Sequence, residues 1–265
     1  MAVVAVTGGA RGIGAAIGAA LAAAGHRVAL GDLDTGAVAA TAATMHGVVG
    51  LPLDVTSTPS FTAFLDAAED RLGPLDVLVN NAGVMWVGPA DAEPEATTSR
   101  QIEVNLHGVI RGVKLAVPRM RARGHGHVIT IASAASRIAP AGEATYAATK
   151  HAVYGYCNAV RAELRGSGVH VSVVLPSVVE TDLAAGTAHG SVPRLRPEQV
   201  AAAVVRALRR PRFEIFVPAR LGALDRLLGV LPGRARLAFH DRLVPDQVAR
   251  TDHAARQAYQ RTRFD

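Results

Sequence analysis

Seven short runs of apolar residues recur along the chain, and longer alanine-rich segments separate them. The runs are rich in Val and Ile and are nearly unbroken by polar residues; they occupy positions 3–6, 27–30, 48–53, 75–79, 127–131, 169–175 and 214–217. Strands that are buried on both faces of a parallel sheet have this composition. The intervening segments are long enough for crossover helices. The pattern therefore predicts an α/β fold with a doubly wound parallel sheet of about seven strands, flanked by helices.

The alternation of strands and helices stops after position 217. Five leucines then fall on one face of a predicted helix that ends at Pro232 and Gly233; they are Leu221, Leu224, Leu227, Leu228 and Leu231. Proline and glycine cluster at 186–197, which predicts a mobile loop. We therefore expect one domain over 1–265, with a core over 1–218 and a short helical C-terminal extension over 219–265.

A glycine-rich loop with the sequence TGGARGIG follows the first run, at positions 7–14. Glycine lets such a turn close tightly and lets the backbone approach a pyrophosphate. The helix that starts here offers unpaired N–H groups and a partial positive charge to the anion. With a strand before it and a helix after it, the loop predicts a Rossmann-like dinucleotide site. The residues expected to bind the cofactor here are Gly8, Arg11, Gly12, Ile13 and Gly14.

Asp32 stands near the end of the second strand, eighteen residues after Gly14. A carboxylate there can accept hydrogen bonds from the ribose hydroxyls of NAD, and it repels the 2′-phosphate of NADP. We therefore expect NAD to be preferred. Arg11 could hold a 2′-phosphate, so NADP stays open as the cofactor. Asp34 is expected to cap the next helix.

Tyr146 and Lys150 are four residues apart in a predicted helix, so both side chains can reach one cleft. A phenol with a pKa of about 10 is a poor base, and lowering that pKa by about three units requires roughly 4 kcal/mol. A nearby ammonium group and an oxidised nicotinamide both favour the phenolate. Tyr146 could then exchange a proton with an alcohol oxygen. Ser133, just beyond the fifth run, could hydrogen-bond that oxygen or could be a local backbone cap.

Together these motifs resemble the short-chain dehydrogenase/reductase family in its compact single-domain form. The matching positions follow the family's order from residue 3 to about 218: 7–14, 54–55, 80–83, 105, 133, 146, 150 and 176–181. The resemblance implies an NAD(P)-dependent oxidoreductase that transfers a hydride between nicotinamide and an alcohol or carbonyl carbon, and a homodimer or homotetramer. Its implied catalytic residues are Asn105, Ser133, Tyr146 and Lys150, the last two also touching the cofactor.

The resemblance implies further cofactor contacts at the strand ends. Asp54 and Val55 would contact the adenine, although Asp54 could instead be a turn residue. Asn81, Ala82 and Gly83 would line the floor beneath the cofactor ribose.

The resemblance also implies roles near the reacting carbon. Asn105 would hold a water that links Lys150 to solvent, although it could instead join a helix to a strand. Lys150 would bind the nicotinamide ribose. In the segment that begins at Pro176, Val179 and Thr181 would orient the carboxamide.

Two positions depart from the family pattern. Ser177 stands where glycine is usual, which would stiffen or shift that segment, and Ala132 replaces a frequent serine.

The family's substrate lid would correspond to residues 182–200 here. The lid and the segment after Gly83 are rather apolar, because they contain Leu183, Ala184, Ala185, Val192, Leu195, Val84, Met85 and Trp86. We therefore expect a hydrophobic secondary alcohol or ketone, such as a steroid, terpenoid, retinoid or acyl chain.

No metal site is expected, because the candidate histidines lie on different predicted elements without carboxylate or thiol partners at ligand spacing; they are His107, His125, His127 and His151. The single cysteine, Cys157, is typical of a small buried residue in a reducing compartment. No secretory signal is visible at the start, so we expect a cytoplasmic protein.

The formal net charge is +6, but no basic stripe interleaved with aromatic residues is present, so nucleic-acid binding is not expected. The segment 220–239 is amphipathic and basic. It could cover the substrate cleft, pack in an oligomer, contact an anionic membrane peripherally, or bind an acidic carrier protein.

Two other functions stay open. A carrier-protein-linked 3-ketoacyl reductase would prefer NADPH, against the expectation from Asp32. A catalytically silent NAD-binding sensor or scaffold would bind the dinucleotide without turnover.

Overall fold

The computed structural model describes residues 1–188, 193–234, 238 and 244–264 of the chain. Seven strands form one sheet, in the order β3-β2-β1-β4-β5-β6-β7, and each neighbouring pair is parallel. The strands are β1 Val3–Thr7, β2 Arg27–Asp32, β3 Val48–Pro52, β4 Val77–Asn80, β5 Gly126–Ile131, β6 Val169–Pro176 and β7 Glu214–Val217. Each lies within two residues of its predicted run, which confirms the doubly wound α/β fold.

Helices cover both faces of the sheet. They are α1 Gly12–Ala23, α2 Thr35–Ala43, α3 Thr58–Leu72, α4 Glu95–Ile102, α5 Gly108–Arg123, α6 Ala144–Glu163, α7 Pro197–Arg209, α8 Arg220–Gly229, α9 Gln247–Arg250 and α10 His253–Phe264. A π-helical turn, Glu103–His107, joins α4 to α5. No described helix combines the length and the apolar composition that a membrane crossing needs.

Two hydrophobic cores flank the sheet. One lies against α3, α5 and α6 and contains Phe61, Phe64, Val113, Met120, Val153 and Cys157, and the other lies against α1 and α7 and contains Ile17, Leu21, Val200 and Val204. Cys157 is buried, as expected for a small core residue. Burying one such aliphatic or aromatic side chain contributes about 1.5–3 kcal/mol, so the two cores fix the sheet rigidly beneath its carboxyl edge.

The strand order reverses direction at β1, which has β2 on one side and β4 on the other. At such a switch point the connections leave toward opposite faces, and a crevice opens at the carboxyl ends of the strands. Here these ends carry Thr7 and Asn80. The fold therefore brings the glycine-rich loop and the Asn81 segment to the same crevice.

The helix after β7 corrects one expectation. Leu227 is 61% exposed, whereas Leu228 is 8% exposed. Leu227 lies at the edge of the leucine face and stays exposed, and Leu231 lies beyond the end of the helix, so the five leucines do not form one buried helical face. The helix also ends at Gly229, before the predicted stop at Pro232 and Gly233.

Some predicted features lie partly outside the described residues. They are positions 189–192, which belong to the expected mobile loop and lid and include Val192, and positions 235–237 and 239 of the amphipathic segment.

Candidate active site

The start of α1 is built to receive an anion. Within the described residues, no side chain caps this helix and its first turn holds no acidic residue, whereas Asp34 and Ser57 cap α2 and α3. Gly8 and Gly12 have φ angles of 68° and 55°, which L side chains rarely adopt. The open N–H groups and the positive helix end fit the pyrophosphate of a dinucleotide.

The glycine loop has no room for a side chain at its centre. A Cβ on Gly14 would lie 2.0 Å from the carbonyl oxygen of Gly8, and a Cβ on Gly8 would lie 2.9 Å from Cα of Ala82. Asn81 Nδ2 donates to the carbonyl oxygens of Thr7 and Gly8, at 2.9 and 3.1 Å. Asn81 and Ala82 therefore support the loop from the end of β4, and Ile13 lines the adjoining cavity with Asn81.

Asp32 lies at the end of β2, beside the same loop. Its carboxylate accepts hydrogen bonds from the backbone N–H of Ala10 at 3.0 Å and of Asp34 at 3.2 Å. Arg11 pairs with Asp34 at 2.9 Å, and both side chains are more than 40% exposed. Asp34 also accepts from Ala37 N–H and caps α2, as predicted. An exposed ion pair of this kind contributes at most about 1 kcal/mol, so Arg11 stays available to a 2′-phosphate.

Asp54 and Val55 follow β3 at the same edge of the sheet. The Asp54 carboxylate accepts from the N–H and hydroxyl of Thr56, at 2.9 and 2.7 Å. The carbonyl oxygen of Val55 accepts from Arg111 at 3.3 Å. These contacts give Asp54 the turn role that the sequence left open, and the adenine contact stays a prediction.

Three predicted catalytic side chains line one cavity of about 340 Å³. Tyr146 and Lys150, on α6, are 7% and 5% exposed, and Lys150 Nζ lies 5.5 Å from the centre of the Tyr146 ring. Lys150 donates to the carbonyl oxygen of Ile131 at 3.3 Å. Ser133 Oγ accepts from Ala135 N–H at 3.0 Å, and Ser133 lines the cavity together with Tyr146. The structure thus brings together three of the four predicted catalytic residues, and Asn105 lies outside the cavity lining.

Burial dominates the protonation states in this cavity. It raises the pKa of the Tyr146 phenol well above its ordinary value, the Glu143 carboxyl raises that pKa further, and the Ser133 hydroxyl lowers it. Burial lowers the pKa of the Lys150 ammonium to about 8. Without a bound cofactor, the pKa of the Tyr146 phenol is therefore raised, whereas the sequence predicted that the Lys150 ammonium would lower it. The second positive charge that was expected to favour the phenolate is that of the oxidised nicotinamide.

Asn105 is fully buried in the π-helical turn before α5. Its Oδ1 accepts from Val84 N–H at 2.9 Å, and its Nδ2 donates to the carbonyl oxygen of Val84 at 2.9 Å and to Thr149 Oγ1 at 3.2 Å. A Cβ on Gly83 would lie 3.3 Å from Asn105 Oδ1 and 3.8 Å from Lys150 Nζ. Asn105 thus joins the segment after β4 to α6, and its water-holding role stays a prediction.

The segment from Pro176 to Thr181 returns to the start of α1. Val179 is buried and bridges to Leu195, and a Cβ on Gly12 would lie 3.2 Å from Thr181 Cγ2. Ser177 continues the pairing of β6 with β7, because its N–H donates to the carbonyl oxygen of Val217 at 2.9 Å. Serine in place of glycine therefore leaves Val179 and Thr181 close to the glycine loop.

Sequence reasoning missed two side chains at the substrate end. Glu143 is 8% exposed and lines the cavity three residues before Tyr146, a spacing that could have revealed it. Arg256, on α10, is 1% exposed and donates to the carbonyl oxygens of Met85, Leu183 and Ala185. No local pattern marks Arg256, because charged residues on a polar helix are normally exposed.

The described part of the C-terminal extension packs over the substrate end of the cavity. The Gln247 side chain bonds both backbone groups of Ala188, at 2.8 and 2.9 Å, and its N–H donates to the carbonyl oxygen of Ala141 at 3.1 Å. Val244, Pro245 and Gln247 line the cavity with the α8 leucines Leu221, Leu224 and Leu228. These contacts favour a role in covering the cleft.

The histidines differ in one respect from the expectation. His107 contacts the Glu103 carboxylate at 2.6 Å, and His125 contacts Asp76 at 3.4 Å, so two of the four have a carboxylate partner. The His107 pair follows from an i,i+4 spacing that the sequence argument overlooked. Across the described residues, no three potential ligands come together as a metal ion requires.

A family model described as short chain dehydrogenase matches residues 2–191. This chain belongs to the short-chain dehydrogenase family. Its fold is the one that the resemblance implied, and the enzyme is a dehydrogenase or reductase of alcohol or carbonyl groups with an NAD(P)-type cofactor.

Individual relatives of this short-chain dehydrogenase act on different compounds. It is 38% identical over 222 residues to 1-deoxy-11-beta-hydroxypentalenate dehydrogenase of Streptomyces exfoliatus, covering 80% of this chain and 81% of the relative. Ketoacyl reductase HetN of Nostoc sp. is 33% identical over 221 residues, with 80% and 77% covered. A short chain dehydrogenase/reductase from Burkholderia phymatum, solved in complex with NAD, matches with a TM-score of 0.78 at 28% identity, with 86% and 93% covered.

Proposed function

We propose that this enzyme interconverts a hydrophobic secondary alcohol and the corresponding ketone, with Tyr146 as the acid/base. The observation that carries the proposal is the shared cavity: Ser133, Tyr146 and Lys150 line the same space as Ile13 and Thr181 at the dinucleotide loop. A reacting oxygen at the phenol is thereby within the same enclosed volume as the expected nicotinamide position.

We assign a separate role at the reacting oxygen to each of the three side chains. The Ser133 hydroxyl hydrogen-bonds this oxygen and holds it at the phenol. Tyr146 accepts the hydroxyl proton during oxidation and donates it during reduction. Lys150 adds a positive charge that stabilises the phenolate and binds the nicotinamide ribose. When bound, NAD(P) supplies the hydride acceptor or donor and, in its oxidised form, a second positive charge.

The cavity walls support a hydrophobic substrate. Beyond the three catalytic side chains the lining is largely aliphatic and includes Met85, Ile138, Pro140, Leu183, Leu221, Leu224, Leu228 and Val244. A cavity of about 340 Å³ lies in the range of small-molecule sites. We therefore propose a compact apolar ketone or alcohol of the steroid, terpenoid, retinoid or acyl type.

We also propose that NAD is the preferred cofactor. Asp32 supports this preference, because its fixed carboxylate can accept the ribose hydroxyls and repels a 2′-phosphate. We further propose that the protein is cytoplasmic and forms a homodimer or homotetramer. Analytical ultracentrifugation would test the oligomeric state. We also propose a core over 1–218 with an extension over 219–265. Peripheral membrane contact through 220–239 stays a hypothesis, which vesicle flotation at low and high salt would test.

The mechanism is tested with Tyr146→Phe. Purified enzyme is given NAD or NADP and a panel of hydrophobic alcohols and ketones, and the absorbance of the reduced nicotinamide is followed. We expect kcat/KM to fall by about 10²–10⁴-fold in the variant, because the phenolic proton donor is lost.

The matched control is Tyr156→Phe. This tyrosine is half-buried on the same helix but does not line the cavity, so we expect near wild-type rates. Full activity of Tyr146→Phe would contradict the mechanism. Tight NAD binding without turnover of any panel compound would favour the sensor or scaffold alternative, and strict NADPH dependence with acyl-carrier substrates would favour the ketoacyl reductase.

A further inference from the structure

The Glu143 side chain lines the substrate cavity at the start of α6. Glu143 precedes α6 at its N-cap position, yet its side chain makes no capping hydrogen bond. Among the described residues, no donor or ion-pair partner contacts its carboxyl oxygens. The cavity wall includes this residue, although it is only 8% exposed.

The Glu143 carboxyl is therefore placed where a molecule in the cavity can reach it. Burial in a largely apolar cavity removes hydration from a carboxyl group and makes its charged form less favourable. Burial raises the pKa of the Glu143 carboxyl to about 7, and the nearby Arg256 charge opposes this only in part. A ligand that hydrogen-bonds the carboxyl would offset the cost.

The position of Glu143 fixes which part of a ligand it can touch. It lies at the N-cap of α6, three residues before Tyr146, and both side chains line the same cavity. Around it, the cavity is lined by Pro140, Thr187 and Gln247, at the end that the C-terminal extension covers. A molecule whose reacting oxygen lies at Tyr146 can therefore extend a second group to Glu143.

We propose that Glu143 is a specificity-determining residue that hydrogen-bonds a hydroxyl group of the substrate, remote from the carbon that exchanges the hydride. This proposal rests on the proposed function and narrows it to hydroxylated hydrophobic ketones or to diols. A hydroxyl fits best because it can donate to a carboxylate and can accept from a carboxylic acid. The contact therefore forms in either protonation state, whereas an ionised Glu143 would repel a substrate carboxylate.

The test compares plain decalone with a set of hydroxydecalones that carry the hydroxyl at different ring positions. The kcat/KM ratio of each hydroxylated ketone to decalone is measured for the wild-type enzyme, E143Q and E143L. We expect the wild type to prefer at least one hydroxydecalone by about ten-fold or more. In E143L the ratio should fall to about one through a higher KM for the hydroxylated ketone. E143Q should keep part of the preference, because an amide still donates and accepts.

The control is E163Q, which removes an exposed carboxylate at the far end of the same helix and should keep the wild-type ratio. If E143L does not fold, as judged by circular dichroism, E143Q and E143A replace it. The proposal is overturned if the wild type prefers no hydroxydecalone, or if substitution changes both ketones equally, which would indicate an effect on Tyr146 alone. Absence of turnover of every ketone by the wild type would instead refute the proposed function.

Discussion

Asp32 shows how a single side chain can serve both the fold and a ligand. Its carboxylate accepts hydrogen bonds from the N–H groups of Ala10 and Asp34, which hold it beside the start of α1. The side chain is only partly buried, so it remains open to a ribose. A fixed negative charge at this point discriminates between cofactors by repulsion as well as by attraction.

Cofactor preference can therefore be changed at this residue. In Asp32→Ser, we expect the ratio of kcat/KM for NAD to that for NADP to fall by about ten-fold or more, because the repulsion of the 2′-phosphate is removed. Steady-state kinetics with both cofactors measures the ratio, which cancels any general weakening of the loop. Asp91→Ser, at an exposed and distant position, is the control. An unchanged ratio would show that Asp32 does not select the cofactor.

At the residue scale, sequence reasoning found the reactive groups but not their surroundings. Ser133, Tyr146 and Lys150 were identifiable because their spacing is a property of the chain. The direction of the phenol's pKa shift was not, because it depends on burial by segments distant in sequence. Arg256 was missed for the same reason: its acceptors at Met85 and Leu183 are about 170 and 70 positions away.

At the scale of elements, α10 is the least expected part of the site. Its Arg256 guanidinium bonds backbone carbonyls in the segment after β4 and in the lid, and lies 4.4 Å over the Tyr259 ring. A cation held by several carbonyl oxygens fixes segments that have no strand or helix of their own. The helix therefore ties two walls of the substrate cavity together.

Because Arg256 contacts the walls of the substrate cavity, its loss should weaken the binding of the ketone more than that of the cofactor. In Arg256→Met, we expect KM for the hydrophobic ketone to rise by about ten-fold, because the cavity walls lose their common donor, and KM for NAD to change by less than about two-fold. Steady-state kinetics with each substrate varied in turn provides the measurement. Arg261→Met, at an exposed position on the same helix, should leave both values unchanged. Equal rises in both KM values would contradict a role confined to the substrate side.

Elements of the core were predictable to within two residues, because strands buried on both faces must be continuous apolar runs. The C-terminal extension was less predictable. Its helix α8 exposes Leu227 while burying Leu228, since only three of its leucines meet the cavity. Hydrophobic spacing shows that a face exists, but the width of that face is set by the surface on which the helix lies.

At the scale of the whole molecule, His127 links the sheet to acid stability. It lies buried on β5, its Nε2 is 2.8 Å from Ser172 Oγ, and the Ser172 hydroxyl donates to the carbonyl oxygen of Arg212. Burial, with a smaller contribution from His170, lowers the pKa of His127 to about 4. Between pH 6.5 and 4, this histidine is therefore protonated in the unfolded chain, where its pKa is near 6.5, but is mostly neutral in the folded protein.

The sign of this linkage gives a testable pH profile. The contribution of His127 to stability is complete above pH 6.5 and is lost as the pH falls toward 4, by roughly 3 kcal/mol in total. His127→Gln keeps a donor for Ser172 and should lose less stability over this range, as measured by urea unfolding at pH 7, 5 and 4. His46→Gln, at an exposed position, should keep the wild-type profile. If the free energy of unfolding fell equally with acid in both variants, His127 would not be the residue responsible for the pH dependence.

The guanidinium of Arg256 also has a consequence for biosynthesis. Residues 1–218 are translated before position 256, so a nascent chain of that length already contains the whole glycine loop and all seven strands. It still lacks the donor for the Met85 and Leu183 carbonyls. During translation, the residues of the dinucleotide loop and the sheet are thus all present before Arg256 can bind the two carbonyl oxygens in the wall of the substrate cavity.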